Sequence, residues 1–265
     1  MSALEGLRIV NTRAVQQAGE LNDLLRKQGA IPLSYPCIAI APVSKIGDFD
    51  AALERGSFDW ICLTSQNAVD ILASRAEAIG LDRAVLVAPR YAVVGAATAA
   101  TLKRLLDIDA SFVPEVFDAT TMMRDCPIEA GERVLMPVSD LASDEPAVFL
   151  TEKGVDVTRM IVYHTVLGRG GVDAGTLLKD GLVDAITFTS PSAVSGFVKR
   201  LKREEGNLDD ARQVPIACIG PSTRNRAISE NMLRAFMPAE HTLNGLLGAL
   251  TDVVTSQQQG GRRWG

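Results

Sequence analysis

Asp59-Trp60-Ile61-Cys62-Leu63-Thr64-Ser65 is answered 125 residues later by Asp184-Ala185-Ile186-Thr187-Phe188-Thr189-Ser190. Each is a short apolar run that ends in Thr-Ser. Working outward, Ala68-Val69 maps onto Ala193-Val194. Val94-Gly95 followed by Thr98 maps onto Ile219-Gly220 followed by Thr223. The same offset carries Arg8, Glu20 and Gly29 onto Arg133, Glu145 and Gly154 without a gap. A duplicated unit of this size predicts two similar lobes with a cleft between them, the usual place for a small ligand.

Each repeat alternates apolar runs with helical patterns. In the first, strands are expected at Leu7–Val10, Ile38–Ile40, Asp59–Leu63 and Tyr91–Gly95, and helices at 16–28, 67–78 and 98–106. In the second, strands are expected at 133–136, 160–166, 184–189 and 215–220, and helices at 145–153, 192–203 and 222–231. Alternation of this kind predicts parallel sheets flanked by helices. The strands are continuously apolar, as sheets covered on both faces require. The polar, glycine-rich stretch from Ser256 reads as a frayed end.

Composition narrows the function classes. The chain has 265 residues, 47% hydrophobic and 22% charged, which suits one or two folded domains. Its net charge of -5 argues against a broad nucleic-acid surface. No segment reaches membrane-spanning length and none reads as a signal peptide, so a cytoplasmic protein is expected. Cys37, Cys62, Cys126 and Cys218 form no C-x-x-C pair and read as reduced structural thiols. The two histidines, His164 and His241, lack ligand-like spacing, so no metal site is expected.

Four strand-to-helix turns hold the remaining information: Thr64-Ser65-Gln66-Asn67, Gly95-Ala96-Ala97-Thr98, Thr189-Ser190-Pro191-Ser192 and Gly220-Pro221-Ser222-Thr223. One reading is helix capping, which needs no ligand. The other is anion binding, since helix N-termini offer free N–H groups and partial positive charge at the carboxyl ends of strands. Four turns in two matched pairs suit a ligand with several anionic groups. Arg13 is either a carboxylate anchor or an exposed arginine without a role. Tyr163, ending an apolar strand, is either a packing residue with a wet hydroxyl or a general acid. No nucleophile elbow, Walker loop or dinucleotide fingerprint occurs.

Taken together, Thr12-Arg13, Thr64-Ser65-x-Asn67-Ala68-Val69, Val94-Gly95-x-x-Thr98-Ala99, Tyr163-x-Thr165, Thr189-Ser190-Pro191-Ser192-Ala193-Val194 and Ile219-Gly220-Pro221-Ser222-Thr223 resemble the uroporphyrinogen-III synthase family, from about Leu7 to Val254. Each motif is short, and their order and spacing carry the resemblance. It implies two α/β lobes joined by two extended crossing strands, with a discontinuous first lobe: residues 1–36 and 168–258 in lobe one, 37–167 in lobe two, and 259–265 as a flexible tail. The crossing strands are expected at Ser34–Ala41 and Met160–Leu167.

The resemblance further implies a hydro-lyase that cyclises linear hydroxymethylbilane to uroporphyrinogen III, with loss of water and inversion of ring D. No cofactor or metal is implied. The enzyme would act as a cytoplasmic monomer that receives its substrate from hydroxymethylbilane synthase. Tyr163 matches the family's tyrosine and would assist departure of the hydroxyl. Arg13, Thr64, Ser65, Asn67, Thr98, Ser139, Thr189, Ser190, Ser192, Ser222 and Thr223 are the expected substrate contacts. At Val138, the repeat partner of Arg13, many family members carry arginine. That departure leaves room for a second reading, a non-catalytic bilobed tetrapyrrole sensor.

Overall fold

The computed structural model describes residues 2–116 and 118–259. The first part of the chain forms β1 (Arg8–Asn11), α1 (Val15–Lys27), β2 (Ile31–Ser34), β3 (Ile38–Pro42), α2 (Ile46–Arg55), β4 (Trp60–Leu63), α3 (Gln66–Ala78), α4 (Arg83–Val87), β5 (Arg90–Val93), α5 (Ala96–Leu106) and α6 (Ala119–Asp125). The remainder forms β6 (Arg133–Ser139), α7 (Glu145–Glu152), β7 (Asp156–Leu167), α8 (Ala174–Lys179), β8 (Ala185–Phe188), α9 (Pro191–Arg203), α10 (Leu208–Gln213), β9 (Ile216–Cys218), α11 (Pro221–Ser229), β10 (Ala235–Phe236) and α12 (Leu243–Gln259). Ser256 lies inside α12, which corrects the expectation of a frayed end from that residue. Residues 260–265 of the expected tail lie outside the described residues.

Two five-stranded sheets result, with orders β10-β9-β8-β1-β2 and β3-β7-β6-β4-β5. The pairings of β1 with β2 and β8, and of β6 with β7 and β4, are parallel. Contacts divide the chain into one lobe built from residues through Ala39 and from Val166 onward, and another built from Ile40–Thr165. The chain passes from one lobe to the other within β3 and again within β7.

The echo survives in three dimensions with its offset intact. β4 and β8 are equivalent strands, and α3 and α9 equivalent helices. Arg8 pairs with Ile31 in the register in which Arg133 pairs with Asp156. The partners are exchanged, however. β1 of the first repeat pairs with β8 of the second, while β6 of the second pairs with β4 of the first. Each sheet is therefore assembled from both repeats.

Cores lie on both faces of each sheet, which is why the strands lack polar alternation. Val10, Ile186, Phe188, Ile216 and Cys218 pack on one face of the first sheet, and Ile9, Ala185 and Ala217 on the other. In the second sheet Ile61, Leu63, Tyr91 and Val93 face one way, and Trp60, Cys62 and Ala92 the other. All four cysteines are buried and free.

One difference between the repeats has a clear cause. β7 is a single twelve-residue strand, whereas its counterpart is split into β2 and β3. Pro36 stands in the gap and brings no backbone N–H. Its neighbours still bond to the sheet, Tyr35 N–H to the Asn11 carbonyl (2.9 Å) and Cys37 N–H to that of Thr12 (3.1 Å). The gap is fastened by Arg200 on α9. This arginine is 3% exposed, stacks on Tyr35 at 3.8 Å, and donates to Pro36 O (2.7 Å), Gly170 O (2.7 Å) and Glu204 (2.8 Å).

Candidate active site

In open parallel sheets, ligands sit beyond the carboxyl ends of the strands where the strand order reverses. Within lobe two this position lies between β4 and β6, and the sequence places Thr64-Ser65 after one and Ser139-Asp140 at the end of the other. β7 lies beside β6 and carries Tyr163.

Tyr163 reaches this position through a bulge. Val138 pairs with Ile161, but Ser139 pairs with Tyr163, so Val162 has no partner on β6. A bulge of this kind redirects side chains next to functional sites. Val162 and Tyr163 are consequently both buried and belong to the same core, although consecutive strand residues normally face opposite ways.

The Tyr163 hydroxyl lies 2.8 Å from Ser65 Oγ. Ser65 is the N-cap of α3 and accepts from the Ala68 N–H at 3.1 Å. Burial pushes the Tyr163 phenol above its ordinary value near 10, and hydrogen bonds with Ser65, Asn67 and Ser139 offset this only in part. The phenol is therefore protonated at neutral pH. The structure thus brings four expected residues, Ser65, Asn67, Ser139 and Tyr163, into one cluster in lobe two. Thr64 is half-buried beside them in sequence, and Thr98 is buried in the first turn of α5.

A second group adjoins the tyrosine that motif reading did not nominate. Asp140 accepts from the Thr165 N–H (2.9 Å) and the Ser139 hydroxyl (3.1 Å), and its other oxygen lies 3.2 Å from His164 Nδ1. Burial alone would raise this carboxyl, but those hydrogen bonds outweigh it and hold it below the usual range. Asp140 is thus a fixed negative charge near Tyr163. The available signal was Asp140 itself, an acid at the end of an apolar strand.

Lobe one repeats the scheme without a tyrosine. Ser190 caps α9 through the Ala193 N–H at 3.1 Å, with the same backbone angles as Ser65, φ -161° and ψ 156°. Its hydroxyl also lies 3.0 Å from that of Ser192. Both Thr-Ser turns therefore do serve as caps. The Gly-type turns differ: Gly95 and Gly220 begin α5 and α11 with no side-chain cap. Thr189 is half-buried, Thr223 buried and Ser222 exposed.

Arg13 follows β1 and is 7% exposed, which overturns the reading of an exposed arginine. Its turn is set by Asn11, a buried residue that sequence reasoning passed over. Asn11 Oδ1 accepts from the Arg13 N–H (3.1 Å), while its Nδ2 donates to Asn22 (2.8 Å) and to the Ala18 carbonyl (3.1 Å). Thr12 and Thr187 tie β1 to β8, donating to the carbonyls of Thr187 (2.7 Å) and Val10 (2.8 Å) respectively. Val138 is 2% exposed and packs with Met136 and Leu150, so this position faces the core of lobe two.

Tyr163 lines neither of two sizeable cavities. One, of about 310 Å³, opens below the amino ends of β4 and β5 beside Phe58, Leu81 and Pro89. The other, of about 430 Å³, lies in lobe one beside Val15, Pro36, Arg169 and Arg203. The polar, convergent chemistry is at the carboxyl ends. Among the described residues, no group of three His, Cys, Asp or Glu side chains could hold a metal, and no helix is long and apolar enough to cross a membrane.

A family model described as "Uroporphyrinogen-III synthase HemD" matches residues 19–248. The chain is 31% identical over 254 residues to a uroporphyrinogen-III synthase of Synechococcus elongatus, covering 93% of this chain and 95% of that protein. It is 30% identical over 254 residues to the "Porphyrin biosynthesis protein HemD" of Ruminiclostridium josui, covering 94% of this chain but only 49% of that longer relative. In fold it is similar to a mutant uroporphyrinogen III synthase from the extremely thermophilic bacterium Thermus thermophilus, with a TM-score of 0.65 at 20% identity over 95% of this chain and 100% of that one. It is also similar to the uroporphyrinogen-III synthetase of Helicobacter pylori, with a TM-score of 0.57 at 14% identity over 94% and 99%. With residues 19–248 matched by the family model, the chain belongs to the uroporphyrinogen-III synthase family.

Proposed function

We propose that this chain cyclises hydroxymethylbilane to uroporphyrinogen III, with Tyr163 as the donor to the departing hydroxyl. The observation that carries the reading is the buried Tyr163 phenol, 2.8 Å from the capping Ser65 at the strand-order reversal of lobe two. A group that stays protonated at neutral pH and sits where ligands bind is suited to donate. The Tyr163 proton passes to the hydroxyl oxygen on ring A's methylene, the C–O bond breaks, and water leaves. An azafulvenium cation remains on the substrate and a negative charge on the phenol oxygen. The substituted carbon of ring D attacks, and the resulting spiro intermediate reopens and recloses. The last ring then regains aromaticity by losing one proton, which returns to Tyr163. The net change is loss of water, with no electron transferred.

Carboxylate contacts are proposed for Arg13, Thr189, Ser190, Ser192, Ser222 and Thr223 in lobe one, and for Thr64, Asn67, Thr98 and Ser139 in lobe two. Arg13 offers a charge-assisted anchor. The hydroxyls and helix starts offer neutral donors at positive helix ends. Holding a flexible linear tetrapyrrole so that its two ends meet supplies the proximity term. The proposed setting is a cytoplasmic monomer fed by hydroxymethylbilane synthase.

The test is to supply enzymatically generated hydroxymethylbilane and separate the products by isomer. Spontaneous closure gives uroporphyrinogen I, so the expected result is enrichment of the III isomer in proportion to enzyme. Product ratios equal to those without enzyme would sink the reading and leave the sensor alternative.

A further inference from the structure

Building on the assignment of Tyr163 as donor, we infer that Ser65 is a positioning residue that turns the Tyr163 O–H toward the reacting oxygen and hydrogen-bonds the charge left on the phenol oxygen. A hydroxyl has one proton to give and two lone pairs. Ser65 Oγ spends acceptor capacity on the Ala68 N–H (3.1 Å), while its proton remains available, and Tyr163 Oη is 2.8 Å away. Two arrangements satisfy that distance. If Tyr163 donates to Ser65, its proton is parked on the cap. If Ser65 donates to Tyr163, the phenol proton is free for the leaving oxygen. Only the second makes an acid.

The second arrangement is a one-way chain, Ala68 N–H to Ser65 O–H to Tyr163 O–H to the leaving group. Each link polarises the next in the same sense. It starts at the N-terminus of the thirteen-residue α3, where partial positive charge favours a developing oxyanion. As the proton leaves, the Ser65 bond becomes charge-assisted and strengthens, so it stabilises the transition state more than the ground state. This answers a difficulty in the site. Tyr163 is 4% exposed and Asp140 adds negative charge nearby, and both oppose a phenolate. The cap of α3 is a preorganised counterweight.

Substitutions at Ser65 separate this role from simple capping, because aspartate caps a helix as well as serine but has no proton to give. S65A and S65D are each expected to lower kcat on the order of 10- to 100-fold, as for loss of a hydrogen bond to a charged group. S65D should melt near the wild-type temperature and S65A below it, and S65T should restore most of kcat. If S65D turns over as fast as wild type while Y163F is slow, Ser65 is only a cap and the inference is overturned. If Y163F itself turns over like wild type, the assignment of Tyr163 has failed first, and the two failures are distinguishable.

Discussion

Tyr163 enters the core beside Val162 because one residue of β7 has no partner on β6. Its consequence for function is testable at this single atom. Y163F should lower kcat by about 10²- to 10⁴-fold, the range for general acid–base groups, with little change in product affinity. Equal loss in both, measured by turnover and by product titration, would make Tyr163 a packing residue. Val138 calls for the opposite argument. This repeat partner of Arg13 is 2% exposed among Met136 and Leu150. V138R should therefore not create an anchor. It should destabilise lobe two by several kcal/mol, the cost of an unpaired buried charge, seen as a lower urea midpoint.

At the scale of elements, serine and glycine start helices in two different ways. Ser65 and Ser190 satisfy an N–H with their own side chains, while Gly95 and Gly220 have no side chain to cap with. The gap between β2 and β3, the edge strands of the two sheets, is held by Arg200. R200M should cost about 1–3 kcal/mol, because the carbonyls of Pro36 and Gly170 lose a donor, the first of them in a buried setting, while exposed Glu204 keeps the Tyr35 hydroxyl. Gly196 on α9 faces the same segment: an added Cβ would lie 2.4 Å from the Cys37 carbonyl oxygen. G196A should lose about 1–3 kcal/mol through overpacking, and both effects are read by chemical denaturation. Several elements had no expectation from sequence. β2 contains Pro32, which a strand tolerates only because β2 is the edge of its sheet. α4, α6, α8 and α10 have five to seven residues, too few for helical periodicity to show.

At the scale of the molecule, two of the four cores hold the thiols out of water, Cys37 and Cys218 in one and Cys62 and Cys126 in the other. Burial pushes Cys126 and Cys218 up to about 12, from an ordinary value of 9.0. In the unfolded chain these thiols ionise near the ordinary value. Their burial therefore stabilises the fold fully below about pH 9, and that contribution drains away as pH rises toward 12. Urea midpoints should fall between pH 8 and pH 11, and the fall should be smaller in C218A. An unchanged slope in C218A would show that this thiol does not drive the alkaline loss. The exchange of strands between repeats also means that neither half of the sequence holds a complete sheet. A chain cut between the repeats should yield two fragments that fail to fold separately, seen by circular dichroism and calorimetry.

The alternation of buried strands and helices, the parallel sheets and the Thr-Ser and Gly-x-x-Thr turns were all legible in the residues. They follow from local facts: apolar runs of strand length, helix stops, and hydroxyls beside free N–H groups. The family resemblance rested on the order of those same turns. What local chemistry leaves open is which strand pairs with which, and there the partners crossed between repeats. The bulge at Ser139, the cap-to-phenol contact, the burial of Arg13 and the fixed charge of Asp140 belong to the same class. Each depends on groups far apart in the chain meeting at one place, and only the packed fold sets those distances. An apolar run announces that it will be buried, but its register against a distant strand is chosen by the whole sheet at once.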